Sequence, residues 1–125
     1  MFRIKKQITF KASHKLYNGG RENEEDHFHN WTISVALDSP ILNEFGFVYD
    51  YIILEKYLVD IADPIKNNSF NNISYFQKTN PTAENIAKYF SDKLQQKLFN
   101  DRGYHIKIVS VEVLKEKDSA IYFVE

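Results

Sequence analysis

The chain has 125 residues, of which 43% are hydrophobic and 15% aromatic, so residues 1–125 read as a single domain with a real core rather than a disordered segment. Its 16 basic and 17 acidic residues nearly cancel and are scattered, which leaves no basic footprint for nucleic acid. Cysteine is absent, which excludes disulfides, thiolate metal ligands and a cysteine nucleophile. No apolar run approaches the ~20 residues a membrane-spanning helix needs, and "MFRIKKQITF" lacks the apolar stretch of a signal peptide. A soluble cytoplasmic protein without membrane or nucleic-acid partners is the expectation.

In chain order, "FRIKKQITFKASH" places Phe2, Ile4, Ile8, Phe10 and Ala12 at even positions, with Lys6 the exception. This period of two predicts a strand with one buried face. Asn18-Gly19-Gly20 is turn chemistry, followed by polar loop. "HFHNWTISVALD" alternates again, with Trp31, Ile33, Val35 and Leu37 in one phase, and predicts a second strand antiparallel to the first. Tyr51, Leu54, Tyr57, Leu58 and Ile61 recur at helical spacing until Pro64. "KNNSFNNISYFQKTN" reads as an Asn-rich loop. A second helix opens at Pro81, with Ile86, Tyr89, Phe90, Lys93, Leu94 and Leu98 on one face, and closes between Asn100 and Gly103. Ile106, Ile108, Val111 and Val113, a "KEKDS" turn, then Ile121 and Phe123 predict a hairpin. The order β-β-α-α-β-β predicts an α+β fold, a four-stranded antiparallel sheet with two helices on one face. Two edge strands need blunting or a partner; the last carries little charge and the first is broadly apolar, which favours pairing with another copy.

Strand side chains two apart share a face, so His27 and His29 project together, with Phe28 opposite. His14 ends the neighbouring strand in phase with Phe10 and Ala12. If the two strands pair through the loop between them, three imidazoles converge. Three histidines with an open fourth position make a catalytic zinc site. The same H-x-H is also compatible with two histidines on a wet surface and no metal. His105 has no neighbouring partner and reads as structural, and Glu25 and Asp26 read as solvated loop.

Four segments in order, "FKASH", "HFHNW", "GFVYDY" and "NPTAENIAKYF", with the ending "AIY", resemble the 6-pyruvoyl-tetrahydropterin synthase and 6-carboxy-tetrahydropterin synthase family. The resemblance covers nearly the whole chain. It implies the tunnelling fold, in which subunits join their sheets edge to edge into a barrel, commonly a hexamer built of two trimers. It implies Zn²⁺ held by His14, His27 and His29, and 7,8-dihydroneopterin triphosphate as substrate, its side-chain hydroxyls held and acidified by the metal. It also implies that Glu84 anchors the pterin; a carboxylate can accept two hydrogen bonds from the amino and N–H edge of that ring. Without the resemblance, Glu84 is equally a first-turn residue favouring a helix N-terminus.

The chain departs from the family pattern at several positions. The catalytic cysteine common in the family is missing, and "EEDHFH" fits the E-x-x-H-x-H pattern of a branch in which a glutamate, here Glu24, replaces it. That branch is associated with cleaving the side chain to 6-hydroxymethyl-7,8-dihydropterin. Glu24 acts as a general base if burial or neighbouring charge raises its pKa, whereas nearby Zn²⁺ works the other way. Lys66 and Asn67 stand where the family has an Asp-His pair, and Asn cannot shuttle a proton. Leu114 stands where the family grips the pterin with Glu; Glu112 or Glu116 takes that place only if the turn length differs. Two functions follow: a zinc-dependent pterin synthase or lyase, or a non-catalytic zinc-containing module holding a pterin- or purine-like ligand.

Overall fold

A computed structural model describes residues 1–17, 25–101 and 105–125. The two alternating segments form β1 (Phe2–His14) and β2 (His27–Ser39), paired antiparallel over their whole length. The C-terminal hairpin forms β3 (Lys107–Lys115) and β4 (Asp118–Phe123), and the sheet order is β1-β2-β3-β4 with every neighbouring pair antiparallel. The expected four-stranded sheet is therefore observed. One face buries Ile8, Phe10 and Ala12 of β1, Trp31, Ile33, Val35 and Leu37 of β2, and Ile108, Val111 and Val113 of β3. Lys6 breaks the apolar phase because its ammonium reaches Glu55 on the overlying helix at 2.9 Å, its stem crossing the buried edge while the charge stays paired.

The buried residues of β3 switch from even to odd numbers between Ile108 and Val111. The cause is a register shift opposite Ala36 and Leu37, where Ala36 pairs with Ser110 but Leu37 pairs with Ile108. One extra residue on β3 is a bulge, which returns the apolar side chains to the same face. The turn into β4 is shorter than "KEKDS": only Glu116 and Lys117 separate the paired Lys115 and Asp118.

Helix α1 (Tyr51–Ala62) buries Leu54, Leu58, Ile61 and Ala62 against the sheet. Asp50 caps it, its carboxylate accepting from the Ile52 N–H at 2.8 Å. Asp50→Ala is expected to cost about 1 kcal/mol of stability, read as a lower urea midpoint at unchanged slope. The segment expected to be irregular contains a 3₁₀ turn (Phe70–Asn72) and a one-turn helix α2 (Tyr75–Lys78). Phe70 and Phe76 are buried there, at 0% and 3% exposure. Their spacing with Ile73, three residues each way, is the signal that the Asn-rich composition masked. Helix α3 (Ala83–Asp101) starts at Thr82, whose hydroxyl accepts from the Asn85 N–H at 3.1 Å. It buries Ile86, Ala87, Tyr89, Phe90 and Leu94, while Lys93, read from spacing as part of that face, is exposed with its ammonium 5.6 Å from the Tyr89 ring centroid. Phe10 joins the layers, its ring centroid 6.2 Å from Phe70 and 6.1 Å from Phe90. Among the described residues no helix is long and apolar enough to cross a membrane.

Candidate metal centre

The register of the first hairpin builds the site. His14 stands opposite His27, and His29 opposite Ala12, so the odd positions of β2 and the even positions of β1 meet on the helix-covered face. The three ring centroids lie 5.2, 5.2 and 4.4 Å apart, each pair edge to face. One ring nitrogen from each histidine lies within 4.8 Å of the other two. A single point then lies within about 2.8 Å of all three, against 2.0–2.1 Å for a Zn–N bond, so ring adjustments of under about 1 Å complete the contacts. The expected convergence is present. Phe28 faces the other way, exposed beneath the Lys11 ammonium.

The outward nitrogens settle the tautomers. His14 Nδ1 lies 2.8 Å from the Pro81 carbonyl oxygen, His27 Nδ1 2.7 Å from the Glu25 carbonyl oxygen, and His29 Nδ1 3.1 Å from a carboxylate oxygen of Glu116. All three partners are acceptors only, so each Nδ1 carries the proton and each Nε2 keeps its lone pair. His14 Nε2 and His29 Nε2 are buried with no hydrogen-bond partner. Two converging lone pairs without a donor cost free energy in a folded interior, and a divalent cation satisfies both. The residues therefore fit a metal. Burial pushes the His14 pKa down against the upward pull of its bond to Pro81, and Lys115 and the other two imidazoles add to the depression. That direction favours the neutral ring, the form that ligates metal.

Trp31 is the floor of the site. It is fully buried, its indole N–H donates to the Ala12 carbonyl at 2.9 Å, and its ring lies 4.9 Å from His14 and 5.8 Å from His29, edge to face. On its other side Phe70 lies 5.1 Å away, which ties the site to the core.

The surrounding candidates divide. Glu24 lies outside the described residues. Glu84 is exposed in the first turn of α3, three residues beyond the Pro81 carbonyl that holds His14, and makes no hydrogen bond or ion pair with a described residue. Asp26 is more than solvated loop: its carboxylate accepts from Ser13 at 3.1 Å and from Ser69 at 3.4 Å, tying the start of β2 to β1 and to the segment after α1. Lys66 and Asn67 are both exposed, and Asn67 adopts a left-handed φ of 60° while its N–H donates to the Lys11 carbonyl. Leu114 pairs with Thr32 and lies on the sheet face away from the histidines. His105 is exposed.

The segment between His14 and Glu24 is anchored at its start by two side-chain amides. Asn71 accepts from the Lys15 N–H and donates to the Lys15 carbonyl, at 2.8 and 2.9 Å. Asn80 does the same for Tyr17 at 2.8 and 2.7 Å. Each amide stands in for a neighbouring strand at alternate residues, satisfying the backbone N–H and carbonyl of Lys15 and Tyr17.

The sequence matches the family model for 6-pyruvoyl tetrahydropterin synthase over residues 3–125. It is 28% identical over 123 residues to human 6-pyruvoyl tetrahydrobiopterin synthase, covering 87% of this chain and 85% of that one. The fold superposes on the structure of Caenorhabditis elegans 6-pyruvoyl tetrahydropterin synthase with a TM-score of 0.85 at 20% identity, covering 99% and 96% of the two chains. It also superposes on a Plasmodium vivax 6-pyruvoyltetrahydropterin synthase carrying a catalytic glutamate-to-alanine replacement, with a TM-score of 0.76 at 13% identity over 100% and 99%. With its four-stranded sheet, overlying helices and histidine cluster, this chain belongs to the 6-pyruvoyl tetrahydropterin synthase family of pterin-handling lyases.

Proposed function

We propose that this chain, as one domain over residues 1–125, is a zinc-dependent lyase acting on 7,8-dihydroneopterin triphosphate. The observation that carries the reading is the trio of imidazoles with two buried, unpartnered Nε2 atoms aimed at a common point. His14, His27 and His29 hold the metal, and each is oriented through its Nδ1 proton. Zinc bound there supplies a Lewis acid toward the substrate's side-chain hydroxyls. Glu24 takes the proton from the substrate side chain, the part played elsewhere in the family by a cysteine. The superposed Plasmodium vivax protein, in which a glutamate is the catalytic residue replaced, supports a carboxylate in that part. Glu84, exposed in the first turn of α3 and without a hydrogen bond or ion pair to a described residue, accepts from the pterin's amino and N–H edge.

A second reading has its own support. Lys66 and Asn67 replace the Asp-His pair, and Leu114 sits on the wrong sheet face to serve the metal site. A module that holds zinc and a pterin- or purine-like ligand without turnover fits those positions. Under either reading the assembly is a hexamer of two trimers. Its support is the two edge strands of the sheet, β1, covered among the described residues only near Lys11 and Ser13, and β4, together with the exposed apolar side chains Phe2, Leu42, Phe45, Phe47 and Tyr51. Light scattering on the purified chain tests it, and a monomer at micromolar concentration removes it.

The deciding experiment incubates purified, zinc-loaded protein with 7,8-dihydroneopterin triphosphate and identifies products by mass, beside Glu24→Ala. The wild type is expected to consume substrate, and the variant to be slower by ~10² to 10⁴ with metal content unchanged. Equal rates remove Glu24 from the mechanism. No product from the wild type leaves the module reading standing.

A further inference from the structure

We propose that Glu116 is a positioning residue for the metal centre: its carboxylate locks the His29 ring so that Nε2 faces the other two imidazoles. Glu116 would make the β3–β4 turn a working part of the site. This rests on the metal reading above, and not on the identity of the substrate.

Three observations support it. First, the Nδ1 partners of His14 and His27 are backbone carbonyls, whereas His29 alone depends on a side chain, with Glu116 Oε1 at 3.1 Å. A ligating imidazole commonly donates its second N–H to a carboxylate or carbonyl, which fixes ring orientation and raises ligand basicity. Second, Glu116 adopts a φ of 54° in a two-residue turn. Such positions favour Gly, Asn or Asp, because a longer side chain crowds the backbone there. A glutamate in that conformation is a local cost that its contact with His29 offsets. Third, the direction of the strand explains why this residue and not a neighbour does the work. Leu114 points to the opposite sheet face, beside Thr32 and Ser34, and Lys115 is the partner of Trp31. Lys115 therefore shares the histidine face, but its ammonium only donates, and Glu116 is the residue beside it whose side chain can accept from the His29 Nδ1–H. His29 Nε2, buried and unpartnered, is the atom whose aim this contact sets.

The test measures Zn²⁺ affinity of the full chain by competition with a chromophoric chelator, for wild type, Glu116→Gly, Glu116→Gln and the neighbouring charge control Asp118→Asn. Glu116→Gly is expected to weaken Zn²⁺ binding by ~10- to 100-fold, while its metal-free melting temperature holds or rises because the turn is relaxed. Glu116→Gln, which retains a neutral acceptor, is expected to fall between Glu116→Gly and the wild type, and Asp118→Asn to bind as the wild type does. The visible absorption bands of the Co²⁺-loaded protein are expected to shift in both Glu116 variants, a change that a purely structural turn residue does not cause. If the wild type binds one Zn²⁺ per chain and both Glu116 variants bind it equally tightly with unshifted Co²⁺ bands, the positioning role is overturned and the metal reading survives. If the wild type binds no Zn²⁺, the metal reading falls and this proposal with it.

Discussion

Replacing His14 with alanine is expected to abolish stoichiometric metal binding and any activity that depends on it. His14 is the most buried of the three imidazoles, at 1% exposure, and it is held from both sides. Its Nδ1–H donates to the Pro81 carbonyl, 67 residues away in sequence, and its ring packs edge-on against Trp31. No described acidic or thiol side chain joins the cluster to take its place. Losing an outer-shell partner of a metal ligand typically costs 10- to 100-fold in affinity, so losing the ligand itself is expected to cost at least ~100-fold. The readout is metal content after dialysis, together with thermal melts at rising Zn²⁺. A ligand that binds only the folded state adds about 4 kcal/mol when present at a thousand times its Kd, so the wild-type midpoint should climb with Zn²⁺ and that of His14→Ala should not. His105→Ala, at an exposed position, is the control and should retain full metal content. Unchanged stoichiometry and affinity in His14→Ala would end the three-histidine account.

Trp31→Ala is expected to destabilise the fold by about 3–5 kcal/mol, the range for emptying a buried aromatic site. That is a large part of the 5–15 kcal/mol by which such a domain is normally stable. The loss has two components. The indole fills the space between Phe70 and the histidines, and its N–H donates to the Ala12 carbonyl near the histidine end of the β1–β2 ladder. Trp31→Phe separates them. It keeps most of the volume but loses the hydrogen bond to that carbonyl, at an expected cost of about 1 kcal/mol. Both variants are expected to bind Zn²⁺ more weakly, because His14 and His29 rest on this ring. Urea denaturation of the metal-free proteins gives the stability terms, and chelator competition gives the affinity. A Trp31→Ala protein within 1 kcal/mol of the wild type would show that the site's floor is not continuous with the core.

Strand periodicity was enough to place the ligands. His27 and His29 are two apart on an alternating segment, and His14 is in phase with Phe10 and Ala12, so only the pairing of two adjacent strands was needed to bring the rings together. The hairpin between them is local, which makes its pairing readable. Both long helices were readable for the same reason: spacing and breakers act within a few turns. The single-turn helix and the 3₁₀ turn were not, since their formation depends on Phe70 and Phe76 finding Phe10, Trp31 and Tyr89 rather than on their own composition.

The site's supports belong to the tertiary structure. The Pro81 carbonyl is a backbone atom and carries no residue signature, and Glu116 lies 87 residues from the histidine it holds. Its position depends on a bulge in β3 and a turn shorter than composition indicated, each of which changes the side a carboxylate faces. Local periodicity determines the face on which a side chain emerges. Which distant atom it meets there is decided by register, and register is set by packing across the whole sheet.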